Sequence, residues 1–332
     1  MSTGLEIIFL ILSTAAFLIG MLGNVFIGLV NCSEWVKNQN ISLADFIFTC
    51  LAISRVSQLL VLLFESLLME QYLDLFSSHN LAKPITLLWR ITNHLTTWLA
   101  TCLSIFYLLK IAHFSHSLFL WLKWRMNRVI LAIFVFSFIF LAFDFLLLES
   151  FNDIFLNSYI HDNNLTLYIE ESKTLYFETL ILLSLTCLFP IALSLTSMVL
   201  LFLSLVRHIR NLQLNSMGSR DSSTEAHKRA IKMVMSFLFL FILHFFSTQV
   251  VNWIFVMFPK HMVVKFISLL VYVFPSSHSF LLILGNSKLR QTALKVLWHL
   301  KSSLRRENLL YLCRQISQSL FKDSTLRGNF ED

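Results

Sequence analysis

Seven long apolar segments constrain this chain more than any other feature of its sequence. A helix that crosses a bilayer needs about 20 mostly apolar residues. Only 14% of the 332 residues are charged, whereas a soluble domain carries about 25%, so most of the surface must face lipid. Continuous apolar runs also favour helices over the alternating strands of a membrane barrel. The predicted spans are residues 7–30, 43–68, 85–109, 129–148, 179–205, 233–258 and 266–284.

The positions of lysine and arginine predict the orientation of these spans. Of the 26 basic residues, 20 lie in segments 32–41, 110–128, 207–232 and 288–332. Because short cytoplasmic loops are enriched in Lys and Arg, this side is predicted to be cytoplasmic. The amino terminus and the 149–178 loop are then outside, and the carboxyl tail is inside. The net charge of +7 follows membrane topology and does not indicate a nucleic-acid partner.

The chain becomes basic and amphipathic after the last span. Leu289, Val296 and Leu300 recur at helical spacing among basic residues, which predicts a helix over 287–300 lying on the inner leaflet. A tail follows over 301–332, where Cys313 is either a palmitoylation site or a reduced thiol. The predicted fold class is therefore all-α: an integral membrane bundle of seven transmembrane helices, with a short amphipathic cytoplasmic helix after the seventh.

Arg55 is a charged residue deep within the second span. A charge there costs at least ~2.5 kcal/mol unless it is satisfied, so Arg55 must face the interior of the bundle. Polar partners are available at Asn24 in the first span and at Ser276 or Ser279 in the seventh. One interpretation is a structural polar cluster between helices. The other makes this cluster part of a conformational switch, because two packings of a buried cluster can separate two states.

The third span is the most polar of the seven, so it should be the most enclosed by its neighbours. Trp89 and Asn93 lie four residues apart near its outer end, and one helical turn places them on one face. Trp89 is either an anchor at the membrane interface or, with Asn93, part of a pocket wall that offers an apolar plate beside a hydrogen-bonding group.

Pro190 and Pro275 interrupt the fifth and seventh spans. Proline frees a backbone carbonyl and kinks a helix. Such kinks serve as hinges in some proteins and as static packing features in others, and the sequence is compatible with both.

Enzyme chemistry has little support in the sequence. There is no phosphate-binding glycine-rich loop and no Cys/His set at metal-ligand spacing, so neither a cofactor nor a metal is expected. A transporter or channel is the alternative from another functional class, and it needs a polar lining through both leaflets. Here the buried polar residues cluster in the outer half of the third span, which favours a blind pocket.

Long strings at the predicted cytoplasmic edges resemble one family. These strings are residues 100–115, 119–125, 201–205, 218–227 with 230–232, and 278–289. Together they closely resemble the bitter taste receptors, the type 2 taste receptor family of G-protein-coupled receptors, and the resemblance covers roughly residues 1–300. Vomeronasal pheromone receptors are a closer neighbour than transporters, but these strings favour taste receptors.

The resemblance implies a plasma-membrane receptor that binds bitter small-molecule agonists and activates a heterotrimeric G protein of the gustducin type. A homo- or hetero-oligomer is compatible with the sequence. By position, the resemblance assigns Asn24 and Arg55 to the polar core of the first two helices, and Trp89 and Asn93 to the ligand pocket. His244 and Ser268 stand at pocket positions where other members carry different residue types, so ligands cannot be transferred from relatives.

Two further groups of residues complete the predicted sites. The predicted switch group consists of Asn24, Arg55 and four further residues. Two are the prolines of the fifth and seventh spans, and two stand where other G-protein-coupled receptors carry the usual motif of the seventh helix: Pro190, Pro275, His278 and Ser279. The G-protein coupling group lies along the basic inner surface: Tyr107, Lys110, Ser204, Leu205, His208, His227 and Lys232.

We expect a single glycan, on Asn164. The sequence Asn164-Leu165-Thr166 is an acceptor triplet in the predicted outer loop. Glycosidase treatment should shift the electrophoretic band of the wild-type protein and leave Asn164→Gln unshifted. A shift that persists in this variant would show that the orientation or the loop assignment is wrong.

Overall fold

The computed structural model describes residues 2–39, 42–71, 79–160, 165–215, 222–257, 262–299 and 301–303. Within these ranges the chain is almost entirely helical and contains no β-strand. The helices are α1 (Ser2–Asn38), α2 (Leu43–Gln71), α3 (His79–Ile111), α4 (Ser117–Trp124), α5 (Met126–Ile160), α6 (Leu165–Asn215), α7 (Ser222–Met257), α8 (Met262–Gly285) and α9 (287–299).

Six of the helices in the described part of the chain are long and apolar enough to cross a membrane: α1, α2, α3, α5, α6 and α7. The seventh, α8, contains a shorter apolar stretch, Val271–Gly285. Its 24 residues nevertheless span about 36 Å at 1.5 Å per residue, enough for a hydrocarbon core of about 30 Å. The predicted all-α, seven-transmembrane class is confirmed, and α4 is a short helix between the third and fourth spans.

The chain divides into two compact units, Met1–Leu282 and Ile283–Asp332. The first unit is the helix bundle. In the second, α9 forms where an amphipathic helix is predicted, and it exposes Leu294, Leu297 and Trp298. Asn164 and Cys313 lie outside the described residues.

The helix α3 lies at the centre of the bundle. In its apolar stretch, 72% of the residues are buried, against 17% in α5. The polar composition of the third span predicts this enclosure, because polar side chains are costly in lipid. Asn93 and His94 have hydrogen-bond partners on α2 and α5, whereas Thr92 and Thr97 donate to backbone carbonyls of α3 itself. By contrast, α5 exposes Leu131, Val135 and Ile139, as expected for a helix that faces lipid.

Small residues bring α1 and α8 into close contact. A Cβ atom added at Gly20 would collide with the Ser276 hydroxyl oxygen and would lie 2.8 Å from Leu59 Cδ1. One added at Gly23 would lie 2.7 Å from the Ser279 hydroxyl oxygen. The Ser276 hydroxyl also donates to the carbonyl oxygen of Ala16 at 2.9 Å. Packing through small residues and serine hydrogen bonds is typical of helix contacts in lipid, where the hydrophobic effect does not drive association.

We expect Gly20→Ala to destabilise the bundle. The new methyl group must displace Ser276 or Leu59, and overpacking of this kind costs about 1–3 kcal/mol. The matched control is Gly28→Ala, because a Cβ at Gly28 meets nothing within 4 Å and alanine favours the helix by up to about 1 kcal/mol. In thermal unfolding of the detergent-purified protein, the first variant should melt below the wild type and the second at or above it. Equal melting temperatures would contradict the close α1–α8 contact.

Candidate functional site

A polar core surrounds Arg55 in the middle of the bundle. Arg55 on α2 and His278 on α8 are both 0% exposed, and His244 on α7 is buried as well. The guanidinium charge of Arg55 lies close enough to act on both histidine rings. The ring of Phe237 on α7 meets the His278 ring edge-on, with 4.1 Å between centroids. The buried charge thus faces the interior of the bundle, among three helices, as its cost in lipid requires.

Asn24 joins α1 to the proline-bearing turn of α8. Its Nδ2 donates to the carbonyl oxygen of Gly20 at 2.8 Å and to that of Pro275 at 3.0 Å. The Ser279 hydroxyl donates to the carbonyl oxygen of Ser276 at 2.7 Å. The Asn24 bond joins α1 to α8 at the turn that contains Pro275, next to the position where proline removes a helical N–H donor.

Trp89 and Asn93 both face α2. The Asn93 side chain is buried, and its Oδ1 accepts a hydrogen bond from Gln58 Nε2 at 3.3 Å. Trp89 packs against a buried cluster that joins α2 to α8. The members of this cluster are Leu59, Leu62, Val271 and Tyr272. Gln58 was not predicted from the sequence, although an amide within an apolar span signals a buried hydrogen bond.

The four predicted pocket residues do not all share one environment. Trp89 and Asn93 lie one turn apart on the α2-facing side of α3, while His244 belongs to the polar core with Arg55 and His278. Gln58 follows Arg55 by three residues on α2, so the two environments adjoin along that helix. Ser268 lies in α8, but its side chain is outside the described set.

A second polar cluster, absent from the sequence prediction, joins α3, α5 and α6. Asp144 Oδ1 accepts a hydrogen bond from the Thr186 hydroxyl at 2.6 Å, and Asp144 Oδ2 lies 3.5 Å from His94 Nδ1. His94 Nε2 lies 3.1 Å from the carbonyl oxygen of Ser137. A carboxylate within an apolar span is itself the signal that marks such a site, because an isolated one is costly in lipid.

Aromatic rings and a proline fasten α6 to α3 beside this cluster. Trp98 is buried, with ring centroids 5.4 Å from Phe140 and 6.0 Å from Phe189. The Thr101 hydroxyl donates to the carbonyl oxygen of Pro190 at 3.1 Å. It also accepts from the Ser194 hydroxyl at 2.9 Å. The predicted proline site in the fifth span therefore sits where α6 is tied to α3.

The predicted coupling residues separate into buried and exposed sets. Leu205 is part of a buried cluster with Leu108, Ala112 and Leu201, and Tyr107 packs against it. The Ser204 hydroxyl oxygen is buried and accepts from the backbone N–H of His113 at 3.1 Å, just past the end of α3. These contacts join the ends of α3 and α6.

The other coupling residues lie on the surface. Lys110, His208 and Lys232 are exposed, and the His208 ring stacks on that of His113 with 6.2 Å between centroids. The Lys110 ammonium lies 5.1 Å from the centroid of the Phe106 ring. His227 lies in α7, and its side chain is outside the described set.

The seven apolar helices of the described chain enclose a polar third helix and a buried charge. These features define the class: a seven-helix integral membrane protein. A family model described as Taste receptor protein (TAS2R) matches residues 1–301. The chain therefore belongs to the type 2 taste receptor family, and it is a receptor of the bitter-taste, G-protein-coupled kind.

Individual relatives agree with the family match. The chain is 62% identical over 315 residues to "Taste receptor type 2 member 42" of Pan troglodytes, covering 94% of this chain and 100% of that protein. It is 61% identical over the same length to the Homo sapiens protein of that name, with the same coverage. Over 299 residues it is 44% identical to "Taste receptor type 2 member 7" of Papio hamadryas, covering 89% of this chain and 94% of that protein.

We expect Asp144→Ala to destabilise the bundle by about 1–3 kcal/mol, because it removes the acceptor of the buried Thr186 hydroxyl. Thermal unfolding of Asp144→Ala, Thr186→Val and the double variant tests this expectation. Because the two side chains share one bond, the double variant should lose less stability than the two single losses added together. Thr186→Ser retains the hydroxyl and serves as the control. Fully additive losses would show that the bond contributes nothing.

Proposed function

We propose that this receptor binds bitter small molecules at the outer half of the bundle and activates a heterotrimeric G protein of the gustducin type on its basic side. The family match over residues 1–301, which covers the whole bundle, is the observation that carries the proposal. The amino terminus is extracellular in this proposal. The end that bears Lys110, His208 and Lys232 is then cytoplasmic, as the asymmetry of Lys and Arg predicts.

The ligand contacts Trp89 and Asn93. The indole of Trp89 offers an apolar plate, and Asn93 offers both a donor and an acceptor. The present partner of Asn93 is Gln58 at 3.3 Å, which is long for a hydrogen bond between these groups. A ligand that replaces Gln58 as the partner of Asn93 therefore breaks only a weak hydrogen bond. The released Gln58 lies on α2, the helix that carries Arg55.

The electrostatics favour neutral or weakly polar agonists over permanent cations. None of the four predicted pocket residues is acidic, and Arg55 lies three residues from Gln58. The nearby carboxylate of Asp144 is already engaged by Thr186 and by His94. With few polar groups to fix the ligand, most of the contact is apolar and non-directional, so affinity is modest.

The polar core is the switch in this proposal. Arg55, His244 and His278 bring α2, α7 and α8 together, and Asn24 adds α1 through the carbonyl of Pro275. Buried polar groups in lipid exchange one partner for another instead of remaining unbonded. A change at Gln58 therefore favours a second arrangement of these helices, which opens the basic end to the G protein.

Separate effects on ligand sensitivity and on maximal response test the proposal. In cells that express a chimeric Gα subunit, calcium signals would be recorded over a library of bitter compounds at matched surface expression. Trp89→Ala and Asn93→Ala should each raise the half-maximal agonist concentration by roughly tenfold, the equivalent of about 1.4 kcal/mol. Lys110→Ala and Lys232→Ala should lower the maximal response with little change in that concentration.

Lys37→Ala is the matched control for the coupling variants. Lys37 is an exposed cation on α1, at the same end of the bundle but outside the proposed coupling surface. If the maximal response falls equally in all three lysine variants, then Lys110 and Lys232 act only as determinants of membrane topology and not in G-protein coupling. Normal sensitivity in both pocket variants, or quaternary ammonium compounds as the best agonists, would show that the pocket lies elsewhere.

A further inference from the structure

The short helix α4 presents an aromatic face that no part of the described bundle covers. None of its residues is fully buried. One side of α4 contacts the segment that follows α3. The Phe119 ring packs on Phe114 with 5.0 Å between centroids, and Lys123 Nζ donates to the carbonyl oxygen of Ala112 at 3.0 Å. The opposite side exposes Trp121 and Trp124, the latter 82% exposed. A large exposed apolar surface of this kind indicates a contact with another protein or with the membrane.

The exposed face of α4 continues directly into the lipid-facing surface of α5. Only Arg125 separates the two helices, and helical hydrogen bonding runs through it. The Arg125 N–H donates to the carbonyl oxygen of Trp121 at 3.2 Å, and the Val129 N–H donates to that of Arg125 at 3.0 Å. Exposed residues then recur at helical spacing across the junction: Trp121, Trp124, Arg128, Leu131 and Val135. Because Leu131 and Val135 face the bilayer, the tryptophans lie on the same side at its edge.

The charges of this face suit an anionic surface. The guanidinium carbon of Arg125 lies 5.1 Å from the centroid of the Trp121 ring and 5.9 Å from that of Trp124, so a cation accompanies both rings. Arg128 is exposed one turn further on. The sequence contains no acidic residue between Asp74 and Asp144, so no carboxylate on these segments neutralises the cations. Tryptophan and arginine together are typical of the membrane–water interface.

We propose that this face of α4, formed by Trp121, Trp124 and Arg125 and extended by Arg128, binds the headgroup region of anionic phospholipids. The proposal rests on the orientation given above, in which this end of the bundle is cytoplasmic, because anionic lipids are concentrated in the cytoplasmic leaflet. Bound there, α4 holds the segment between the third and fourth spans against the bilayer, while Phe119 and Lys123 hold it against the bundle.

Quenching of tryptophan fluorescence by brominated lipids tests the proposal. The receptor would be reconstituted in phosphatidylcholine nanodiscs that contain increasing fractions of brominated phosphatidylserine or brominated phosphatidylcholine. The difference between the wild type and the Trp121→Phe/Trp124→Phe variant isolates the two α4 tryptophans from the other five. For this component, half-maximal quenching should require roughly fivefold to thirtyfold less phosphatidylserine than phosphatidylcholine, the enrichment expected from one to two interfacial cations.

Two further variants define the role of the charges. Arg125→Gln/Arg128→Gln should abolish the preference for phosphatidylserine while both tryptophans remain quenched by brominated phosphatidylcholine. Trp35→Phe is the matched control and should leave the preference intact. Trp35 is an exposed tryptophan at the same end of the bundle, but it adjoins Glu34.

Two outcomes would overturn the proposal. One is equal quenching of the α4 component by the two lipids, measured as the difference between the wild type and the Trp121→Phe/Trp124→Phe variant. The other is a component that no lipid quenches but that added G protein shields, which would make α4 a protein-docking face. Nanodiscs expose both sides of the receptor, so this result does not depend on orientation, which the glycosylation and signalling experiments test separately.

Discussion

The absence of water from the hydrocarbon core dictates how this bundle is held together. Every polar group that enters the membrane must find its partner on the protein. The most demanding group is Arg55, which is completely buried. It is enclosed where α2 meets α7 and α8, close to the buried side chains of His244 and His278. The same requirement explains why Asn24, Ser276 and Thr101 donate to backbone carbonyls of other helices. Polar contacts thus supply the specificity that apolar packing alone does not give in lipid.

Close backbone approach is what allows such short side chains to reach their partners. Asn24 bonds the carbonyl of Pro275, and Ser276 bonds that of Ala16, because glycine at 20 and at 23 leaves room between α1 and α8. The carbonyl of Pro275 in α8 therefore serves as an acceptor for α1. Pro190 in α6 plays the corresponding part for Thr101 of α3. Both prolines are fixed by side chains from a neighbouring helix, which narrows their range of motion in the packing observed.

The sequence predicts the class of fold because length and apolarity alone determine whether a segment crosses a bilayer. It also predicts that α3 is enclosed, since a helix with this many polar side chains is costly to expose to lipid. Helix length beyond the membrane is not encoded in hydropathy: α6 runs for 51 residues, well past the predicted span 179–205. That excess depends on helical hydrogen bonding outside lipid, where apolar composition carries no information.

The candidate site is less accessible to prediction than the fold. Spacing on one helix correctly groups Trp89 with Asn93 on one side of α3, but it cannot reveal which neighbour they face. Gln58 and Asp144 can be recognised as polar groups within apolar spans, but their partners cannot be predicted because they lie 35 and 42 residues away in sequence. The resemblance assigns His244 to the pocket by position, and its burial beside Arg55 depends in addition on how three helices pack. Pairings of this kind are properties of the bundle and are not visible in any single segment.

The distribution of these bonds around α3 constrains how the receptor can change shape. This one helix is bonded to α2 through Asn93 and through Thr96, whose hydroxyl lies 2.9 Å from that of Ser54. It is joined to α5 by His94 and to α6 by Thr101. None of these bonds tolerates gradual sliding, because a displacement of about 1 Å takes a hydrogen bond beyond its useful length. Movement of α3 against its neighbours must therefore proceed by exchange of partners between discrete packings, and a ligand that takes one partner, such as Gln58, biases that choice.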